Sequence, residues 1–172
     1  MAAYNRGMRG LVILSHGQES GPDATKVTTL ALVAERLGWS SERPDYRGIQ
    51  SPLARRDLLL SRMRSASGQV VLVGSSMGAY VSGLASLEHP VAGLFLLAPP
   101  ISLGEEWPRF DLASVPCAIV HGWRDELIPA DDVVAFSKTR SLALHLVDDE
   151  HRLARHVDAC AAWFRQFLDA IR

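Results

Sequence analysis

The chain alternates short apolar runs with longer amphipathic segments, and this alternation constrains its fold more than any other feature. The apolar runs predict β-strands at 11–14, 69–73, 92–98, 116–121 and 142–147, and a weaker strand is predicted at 39–46, whose polarity indicates a position at the edge of the sheet. Helices are predicted at 22–37, 52–65, from the glycine-rich turn at 74–78 to about 88, 129–137 and 152–171. Because nearly continuous apolar strands separated by helices are typical of parallel sheets covered on both faces, we expect a three-layer α/β/α sandwich around a mostly parallel sheet of about six strands.

Length and charge limit the classes of partner. With 172 residues, of which 48% are hydrophobic and 22% charged, the chain fits a single soluble domain spanning 1–172. The 18 basic and 19 acidic residues give a formal net charge of -1. No basic stripe stands out, and the adjacent Arg55 and Arg56 are predicted to form a solvated helix face. We therefore expect neither nucleic acid nor an anionic membrane as a partner.

The cysteines and the first residues indicate a reduced, cytoplasmic protein. Cys117 and Cys160 lie far apart, show no metal-ligand spacing and fall in apolar surroundings. Both are predicted to be buried free thiols, and no metal site is expected. The apolar run 11–14 is too short for a signal sequence or a membrane span, so we expect a cytoplasmic location without a membrane span.

The pentapeptide Gly74-Ser75-Ser76-Met77-Gly78 matches the pattern G-x-S-x-G. It follows an apolar strand and precedes a helical pattern, which is the context of a sharp turn that presents a strained nucleophile. Glycine at both ends removes Cβ atoms that would clash, and the N-terminus of the following helix adds partial positive charge near a developing oxyanion. We predict that Ser76 is a nucleophile and that Ser75 points away from the site. The alternative is a plain glycine turn between strand and helix.

A serine nucleophile needs a base, and the base needs an acid to orient it. After a G-x-S-x-G turn the expected chain order is serine, then acid, then histidine. Asp125 lies just beyond a predicted strand and is the favoured acid, with its neighbour Glu126 as the alternative. His151 follows the last predicted strand and is the favoured base, with His156 as the alternative. Loops at the carboxyl ends of parallel strands meet at one edge of the sheet, so these groups are expected to lie together.

An oxyanion hole for this chemistry needs two backbone N–H groups. One is expected from Met77, the residue after the nucleophile. The second is expected from Gln18, in the loop that follows the first strand, where Gly17 lets the backbone approach closely. His16, in the same loop, is favoured as a residue that organises the loop rather than as a catalyst.

These residues resemble the α/β-hydrolase superfamily over nearly the whole chain. The features that carry the resemblance are strand 1 ending in His16-Gly17, Asp45-Tyr46-Arg47-Gly48, the turn at Ser76, the His121-Gly122…Asp125…Ile128-Pro129 block and the late His151. Ser15-His16-Gly17, the segment 20–23 and Lys26 look like the small, lid-poor esterase-like group of YqiA-type esterases and Tex30/KANL3-like hydrolases.

The resemblance implies a reduced version of the superfamily fold. Most members begin with two further strands, which the segment 1–9 is too short to supply, so we expect six strands in the order 2-1-3-4-5-6. The segment 99–110 is too short for a full cap domain. The serine at the second position of the turn, where larger residues are frequent, is a further departure. The resemblance implies a Ser-His-Asp hydrolase without a cofactor.

Without a cap, the site is expected to be a shallow, open groove. Trp107 and Trp123 are predicted to form an apolar wall with Met77 and Ile128. The predicted substrate pocket comprises His16, Gly17, Trp107, Trp123 and Ile128. Such a site suits a small-molecule acyl substrate, and we expect a carboxylesterase that hydrolyses short-chain esters through an acyl-enzyme intermediate. The protein is expected to be a monomer or a dimer.

Other functions remain open at this point. A thioesterase or a small-amide hydrolase would use the same residues. A non-catalytic binding protein on the same fold is the second alternative, and the intact set of Ser76, Asp125 and His151 argues against it. A nucleotide-binding doubly wound domain is disfavoured because residues 17–21 lack the G-x-G-x-x-G pattern and no Walker lysine follows a glycine loop.

Overall fold

The computed structural model describes residues 8–172. The prediction that the segment 1–9 is too short for two further strands concerns residues 1–7 in part, and these lie outside the described residues. The strands are β1 (Gly10–Ser15), β2 (Ser40–Glu42), β3 (Gln69–Ser75), β4 (Gly93–Leu97), β5 (Cys117–Gly122) and β6 (Ala143–Val147). The helices are α1 (Thr25–Arg36), α2 (Pro52–Arg64), α3 (Met77–Ser86), α4 (Ala130–Arg140) and α5 (Val157–Ala170).

All six strands form one parallel sheet in the order β2-β1-β3-β4-β5-β6, and this confirms the predicted order. The short β2 is at one edge, as its polarity predicts. Ser15 at the end of β1 is in register with Gly74 near the end of β3. The loop after β1 and the turn after β3 therefore leave the same edge of the sheet side by side.

The sheet is covered on both faces, and consecutive strand residues alternate between the two layers. On one face Ile13, Leu72 and Ile119 pack with the apolar sides of α2, α3 and α4. On the other face Val12 and Phe95 pack with α1 and α5. All five of these strand side chains are fully buried. The predicted α/β/α sandwich is confirmed, and the single domain over 1–172 stays a prediction.

Two helices begin later than predicted. We predicted α1 from Pro22, but it begins at Thr25. The prediction that α5 begins at Arg152 is wrong, because the helix begins at Val157. The buried carboxylate of Asp149 accepts the backbone N–H of Glu150 and of Arg155, which holds the preceding segment in a loop rather than a helix.

The segment 98–116 contains no helix or strand and packs along α3. The rings of Tyr80 and Phe110 stack with centroids 6.1 Å apart, and the Tyr80 hydroxyl donates to the carbonyl oxygen of Pro108. Phe110 also contacts Phe136 of α4, with a centroid distance of 4.9 Å. This segment therefore covers the side of two helices as part of the core.

Both cysteines are free thiols. Cys160 is buried as predicted, whereas Cys117, at the start of β5, is half-buried. Burial raises the pKa of Cys117 to about 12 and that of Cys160 to about 11, so both stay protonated at neutral pH. Within residues 8–172, no three His, Cys, Asp or Glu side chains are grouped so that they could hold a metal ion. No helix of that range has both the length and the apolar character needed to cross a membrane.

Candidate active site

The turn between β3 and α3 holds Ser76 in a strained backbone conformation, with φ 54° and ψ -118°. The Ser76 N–H donates to the carbonyl oxygen of Leu97 across 2.8 Å, which ties the turn to β4. A Cβ atom at Gly74 would clash with the backbone of Gly78, and one at Gly78 would clash with the carbonyl of Ser15. The glycines of the pentapeptide are therefore required by close backbone contacts on both sides of the serine.

Ser76, His151 and Asp125 form a continuous chain of hydrogen bonds. The distance between Ser76 Oγ and His151 Nε2 is 2.9 Å. The distance between His151 Nδ1 and Asp125 Oδ2 is 2.8 Å. A carboxylate can only accept, so Nδ1 carries the proton and Nε2 offers its lone pair to the serine hydroxyl.

The Asp125 side chain is fully buried. Its Oδ1 accepts the backbone N–H groups of Leu127 and Ile128 at 2.9 and 2.8 Å. Burial is the largest influence on the pKa of Asp125 and raises it, but the bonds from His151 and from the two backbone N–H groups together hold that pKa below its ordinary value. The carboxylate is therefore ionised and able to stabilise a positive charge on the imidazole.

His121 lies behind the segment 123–129, the acid loop, and is fully buried. Its Nε2 is 3.0 Å from the carbonyl oxygen of Ile128 and 3.4 Å from Asp125 Oδ2. The Nε2–H therefore donates to the Ile128 carbonyl, beside the Asp125 carboxylate, and fixes the acid loop. Its Nδ1 has no hydrogen-bond partner among the described residues.

The segment 148–156, the histidine loop, carries His151 and is held from two directions. The Arg124 N–H of the acid loop donates to the carbonyl oxygen of Asp149 at 3.0 Å. The Asp149 carboxylate accepts from Glu150 N–H, Arg155 N–H and His156 Nδ1 at 2.8 to 2.9 Å. Asp149 therefore fixes the conformation of the histidine loop, and the sequence reasoning missed it.

The alternative residues lie in other positions. Glu126 is exposed and its Oε2 accepts the backbone N–H of His151 at 3.1 Å rather than the imidazole. The His156 Nδ1 binds Asp149, away from Ser76. Ser75 belongs to β3 and is buried. Of the candidates, only Asp125 and His151 are in line with the Ser76 hydroxyl.

Two backbone N–H groups next to Ser76 are free to bind an oxyanion. Met77 is the first residue of α3, so its N–H has no acceptor within the helix. Gly17 lies against the nucleophile, since a Cβ atom on Gly17 would be 3.6 Å from the Cβ of Ser76. Within the described part of the chain, the Gln18 N–H makes no hydrogen bond. Both N–H groups predicted for an oxyanion hole are therefore available near Ser76.

The position of His16 favours a structural role. The side chain is buried and both ring nitrogens are bound. Nε2 accepts the Tyr46 N–H at 2.9 Å, so the proton is on Nδ1, which donates to the carbonyl oxygen of Gly17 at 2.7 Å. Burial lowers the pKa of His16 and keeps the ring neutral. His16 therefore offers no free atom to a substrate.

The prediction that Arg55 is solvated is wrong, because this residue is only 3% exposed. Its Nε donates to the carbonyl oxygen of Ile49 at 2.7 Å and its Nη1 to that of Gly17 at 3.3 Å. The sequence contained a signal for this burial, since Arg55 shares one helical stripe of α2 with the buried Leu59 and Met63.

A cavity of about 430 Å³ opens beside the acid loop. Its lining includes Ile128, Leu127, Ile101 and Phe136 together with the polar Arg109 and Asp132. Ile128 belongs to the predicted substrate pocket, which stays a prediction, and the lining contains none of Ser76, Asp125 and His151. The lining contains neither of the two predicted tryptophans. Trp123 is 55% exposed on the acid loop, and Trp107 is half-buried. The walls of this cavity therefore come from the acid loop, the segment after β4 and α4.

Comparison with solved structures decides the family. A protein from Xanthomonas campestris pv. campestris that is assigned to the α/β-hydrolase superfamily is 48% identical to the chain, with a TM-score of 0.92. The match covers 94% of this chain and 99% of that protein. The chain belongs to the α/β-hydrolase superfamily. No family model and no curated protein matches it.

More distant α/β hydrolases share the fold alone. An α/β serine hydrolase without a lid from Xanthomonas campestris is 16% identical, with a TM-score of 0.72 over 97% of this chain and 84% of that one. The esterase Pf2001 from Pyrococcus furiosus is 19% identical, with a TM-score of 0.72 over 94% of this chain and 83% of that one. The fold is therefore retained across low sequence identity.

Proposed function

We propose that this α/β-hydrolase is a serine hydrolase, specifically a carboxylesterase that acts on short-chain acyl esters. The observation that carries the proposal is the unbroken chain of hydrogen bonds from Ser76 Oγ through His151 to Asp125. A serine hydroxyl bound to a neutral imidazole, which is itself bound to a buried carboxylate, is the arrangement that activates a serine for attack on an acyl carbon.

The roles follow from the proton positions. Ser76 Oγ attacks the ester carbonyl carbon while its proton moves to His151 Nε2, and Asp125 stabilises the imidazolium that forms. The N–H groups of Met77 and Gln18 bind the oxyanion of the tetrahedral intermediate. When this intermediate collapses, the alcohol leaves with the proton from Nε2 and an acyl-serine remains. Water, deprotonated by the same nitrogen, then hydrolyses the acyl-serine to the carboxylic acid and restores the serine.

The substrate class rests on the cavity beside the acid loop. Its volume of about 430 Å³ is that of a small-molecule site, and its walls combine the apolar Ile101, Ile128 and Phe136 with the polar Arg109 and Asp132. We infer that the apolar part accommodates a short acyl chain. The esterase Pf2001 shares the fold, which is consistent with ester hydrolysis. The lid-poor esterase-like group, the cytoplasmic location and the monomeric or dimeric state stay predictions.

The test is covalent labelling combined with kinetics. A fluorophosphonate probe is expected to modify the wild-type protein at Ser76, as located by peptide mass spectrometry. Ser76→Ala is expected to abolish both labelling and hydrolysis of p-nitrophenyl acetate and butyrate, with a loss of at least about 10³-fold in kcat. Ser75→Ala is the matched control, because this neighbouring hydroxyl lies outside the chain of hydrogen bonds, and it is expected to retain labelling.

Two results would contradict the proposal. One is full activity of the Ser76→Ala variant, and the other is a wild-type protein that neither labels nor turns over, which would favour a binding role. A panel of matched esters, thioesters and amides then distinguishes the esterase from the two hydrolases that would use the same residues. Faster hydrolysis of the thioester or amide than of the ester would overturn the ester preference alone.

A further inference from the structure

The proposed mechanism requires the Gly17–Gln18 peptide to have a fixed orientation. None of the three residues Ser76, His151 and Asp125 provides that orientation. The N–H of this peptide belongs to the proposed oxyanion hole, and its carbonyl points away from it, because the C=O and N–H of a trans peptide are antiparallel. Whatever binds the Gly17 carbonyl oxygen therefore sets the direction of the Gln18 N–H.

Three donors converge on that carbonyl oxygen. The His16 Nδ1–H donates at 2.7 Å, the Arg55 guanidinium at 3.3 Å and the Ser20 hydroxyl at 3.5 Å. Arg55 is the only cation among the three, since the pKa of His16 is lowered by burial and its ring is neutral. Arg55 also comes from a different element, α2, so it fixes the loop after β1 relative to the rest of the fold.

The guanidinium itself has a fixed position. Its Nε donates to the carbonyl oxygen of Ile49 at 2.7 Å, and its Cζ lies 5.6 Å from the centre of the Tyr46 ring. Tyr46 in turn hydrogen-bonds Ser15 through its hydroxyl at 2.8 Å and His16 through its N–H. A buried arginine held on two sides is a rigid donor to the Gly17 carbonyl.

We infer that Arg55 is a positioning residue for the oxyanion hole, which orients and polarises the Gly17–Gln18 peptide so that the Gln18 N–H faces the oxygen of the tetrahedral intermediate. This inference rests on the proposed function. A cation bound to a peptide oxygen draws electron density from the amide and strengthens its N–H as a donor. The effect is greatest when the ligand carries a full negative charge, so Arg55 acts on the transition state more than on the bound ester.

The experiment compares Arg55→Met and Arg55→Lys with Arg56→Met as the matched control. Arg56 is the next residue of α2, but its guanidinium pairs with Asp57 and Glu88 at 2.9 and 3.0 Å, away from Gly17. For each variant, kcat and KM are measured with p-nitrophenyl butyrate and normalised to the Ser76 sites that a fluorophosphonate titrates. The affinity for an alkyl boronic acid, which forms a negatively charged tetrahedral adduct on Ser76, is compared with that for butyramide, an uncharged analogue of the bound ester.

Loss of one oxyanion-hole donor lowers kcat by about 10²- to 10³-fold, so misorienting it is expected to lower kcat by about 10- to 100-fold in Arg55→Met. The boronic acid is expected to bind more weakly by the same factor, while KM and the affinity for butyramide change by less than about threefold. Arg55→Lys keeps the positive charge but cannot bind the carbonyl oxygens of Ile49 and Gly17 at the same time, as the guanidinium does. Its decreases in kcat and in boronic-acid affinity are expected to be smaller than those of Arg55→Met. Arg56→Met is expected to stay within about twofold of the wild type in all four quantities.

Unchanged kcat and boronic-acid affinity in folded Arg55 variants would overturn the inference. It is equally overturned when activity falls only in proportion to the titratable Ser76 sites, because that result indicates a loss of folded protein. Arg55→Lys decides the matter when Arg55→Met does not fold. A wild-type protein that takes up no fluorophosphonate overturns the proposed function and this inference together, whereas active wild type with active Arg55 variants overturns the inference alone.

Discussion

The position of the Ser76 side chain requires a backbone conformation that is unfavourable for serine. Its side chain must project from the turn to reach His151, and its backbone is forced to φ 54° and ψ -118°, where the Cβ atom of an L-residue is unfavourable. Such strain costs on the order of 1–3 kcal/mol and persists only when the surrounding structure enforces it. The bond from Ser76 N–H to Leu97 and the close contacts of Gly74 and Gly78 supply that enforcement.

Replacing Ser76 by glycine and by alanine separates strain from chemistry. Both variants lose the nucleophile, but only glycine adopts this conformation without steric strain. Ser76→Gly is expected to exceed Ser76→Ala in free energy of unfolding by about 1 kcal/mol, after allowance for the greater freedom of glycine in the unfolded chain. Urea denaturation measures the difference. The control is Ala79→Gly inside α3, which is expected to be destabilising, and the same sign at both positions would contradict the strain argument.

At the scale of elements, the site depends on a loop that has no regular structure of its own. The histidine loop is fixed by the Asp149 carboxylate, whose two oxygens accept from Glu150, Arg155 and His156. Burial, the largest influence, raises the pKa of Asp149, and the bonds from His156 and the two backbone N–H groups together hold that pKa below its ordinary value. The ionised carboxylate therefore serves as the centre around which the loop folds.

Asp149→Asn tests this arrangement. The amide turns one acceptor oxygen into a donor that faces other donors, so the variant is expected to lose about 1–3 kcal/mol of unfolding free energy. Its kcat is expected to fall by about tenfold, because His151 loses its fixed position relative to Ser76. Asp148→Asn is the control, since this neighbour is exposed and pairs with Arg124 at the surface, and it is expected to resemble the wild type. Equal effects of the two substitutions would contradict the assigned role of Asp149.

The helices and strands were predictable where the local pattern of apolar residues determines them. Buried parallel strands show as apolar runs, which located five of the six strands, and the polar β2 was predicted as a weaker edge strand. The resemblance to the superfamily supplied the order of the strands. The start of α5 was not predictable, because the side chain of Asp149 binds backbone groups up to six residues away, which apolar periodicity does not record. Arg55 shares a helical stripe with Leu59 and Met63, which is a signal of burial, but the acceptors that satisfy its charge, on Ile49 and Gly17, lie outside its own helix and were not predictable.

The candidate site was predictable to a different extent. We could predict that Ser76, Asp125 and His151 lie together, because they follow β3, β5 and β6 at the same edge of the sheet. In the structure these side chains are in contact. Their chemical roles stay predictions. The directions of loop side chains such as Trp107 and Trp123 do not follow from strand or helix periodicity, so the lining of the cavity required the structure.

Across the whole molecule, three buried or partly buried histidines couple stability to pH. Burial lowers the pKa values of His16, His121 and His145 below the ordinary value. Below pH of about 6.5 the unfolded chain binds protons that the folded protein resists, so the unfolding free energy falls as pH decreases. The contribution of these neutral histidines to the unfolding free energy is complete above pH of about 6.5 and is lost as the pH falls below it. A histidine that is bound to a carboxylate has the opposite dependence, because its contribution is lost as the pH rises.

Urea denaturation at pH values from about 7.5 to 5 measures this dependence. The unfolding free energy is expected to decrease steadily over the range. The slope of unfolding free energy against pH is expected to be smaller in His16→Gln, because one of the three histidines with a lowered pKa is absent. The slopes are compared rather than the absolute stabilities, since the substitution itself also changes the stability. A slope in this variant as steep as that of the wild type would show that His16 is not kept neutral by burial.

The position of β1 between β2 and β3 also governs how the protein is made. β1 emerges from the ribosome before either neighbour, and its partner β3 begins only at Gln69. Pairing parallel strands so far apart in sequence is slow, and an unpaired apolar strand is prone to aggregate meanwhile. The nascent chain therefore holds an exposed β1 for much of its synthesis, and it completes the constellation around Ser76 only when the histidine loop has been translated.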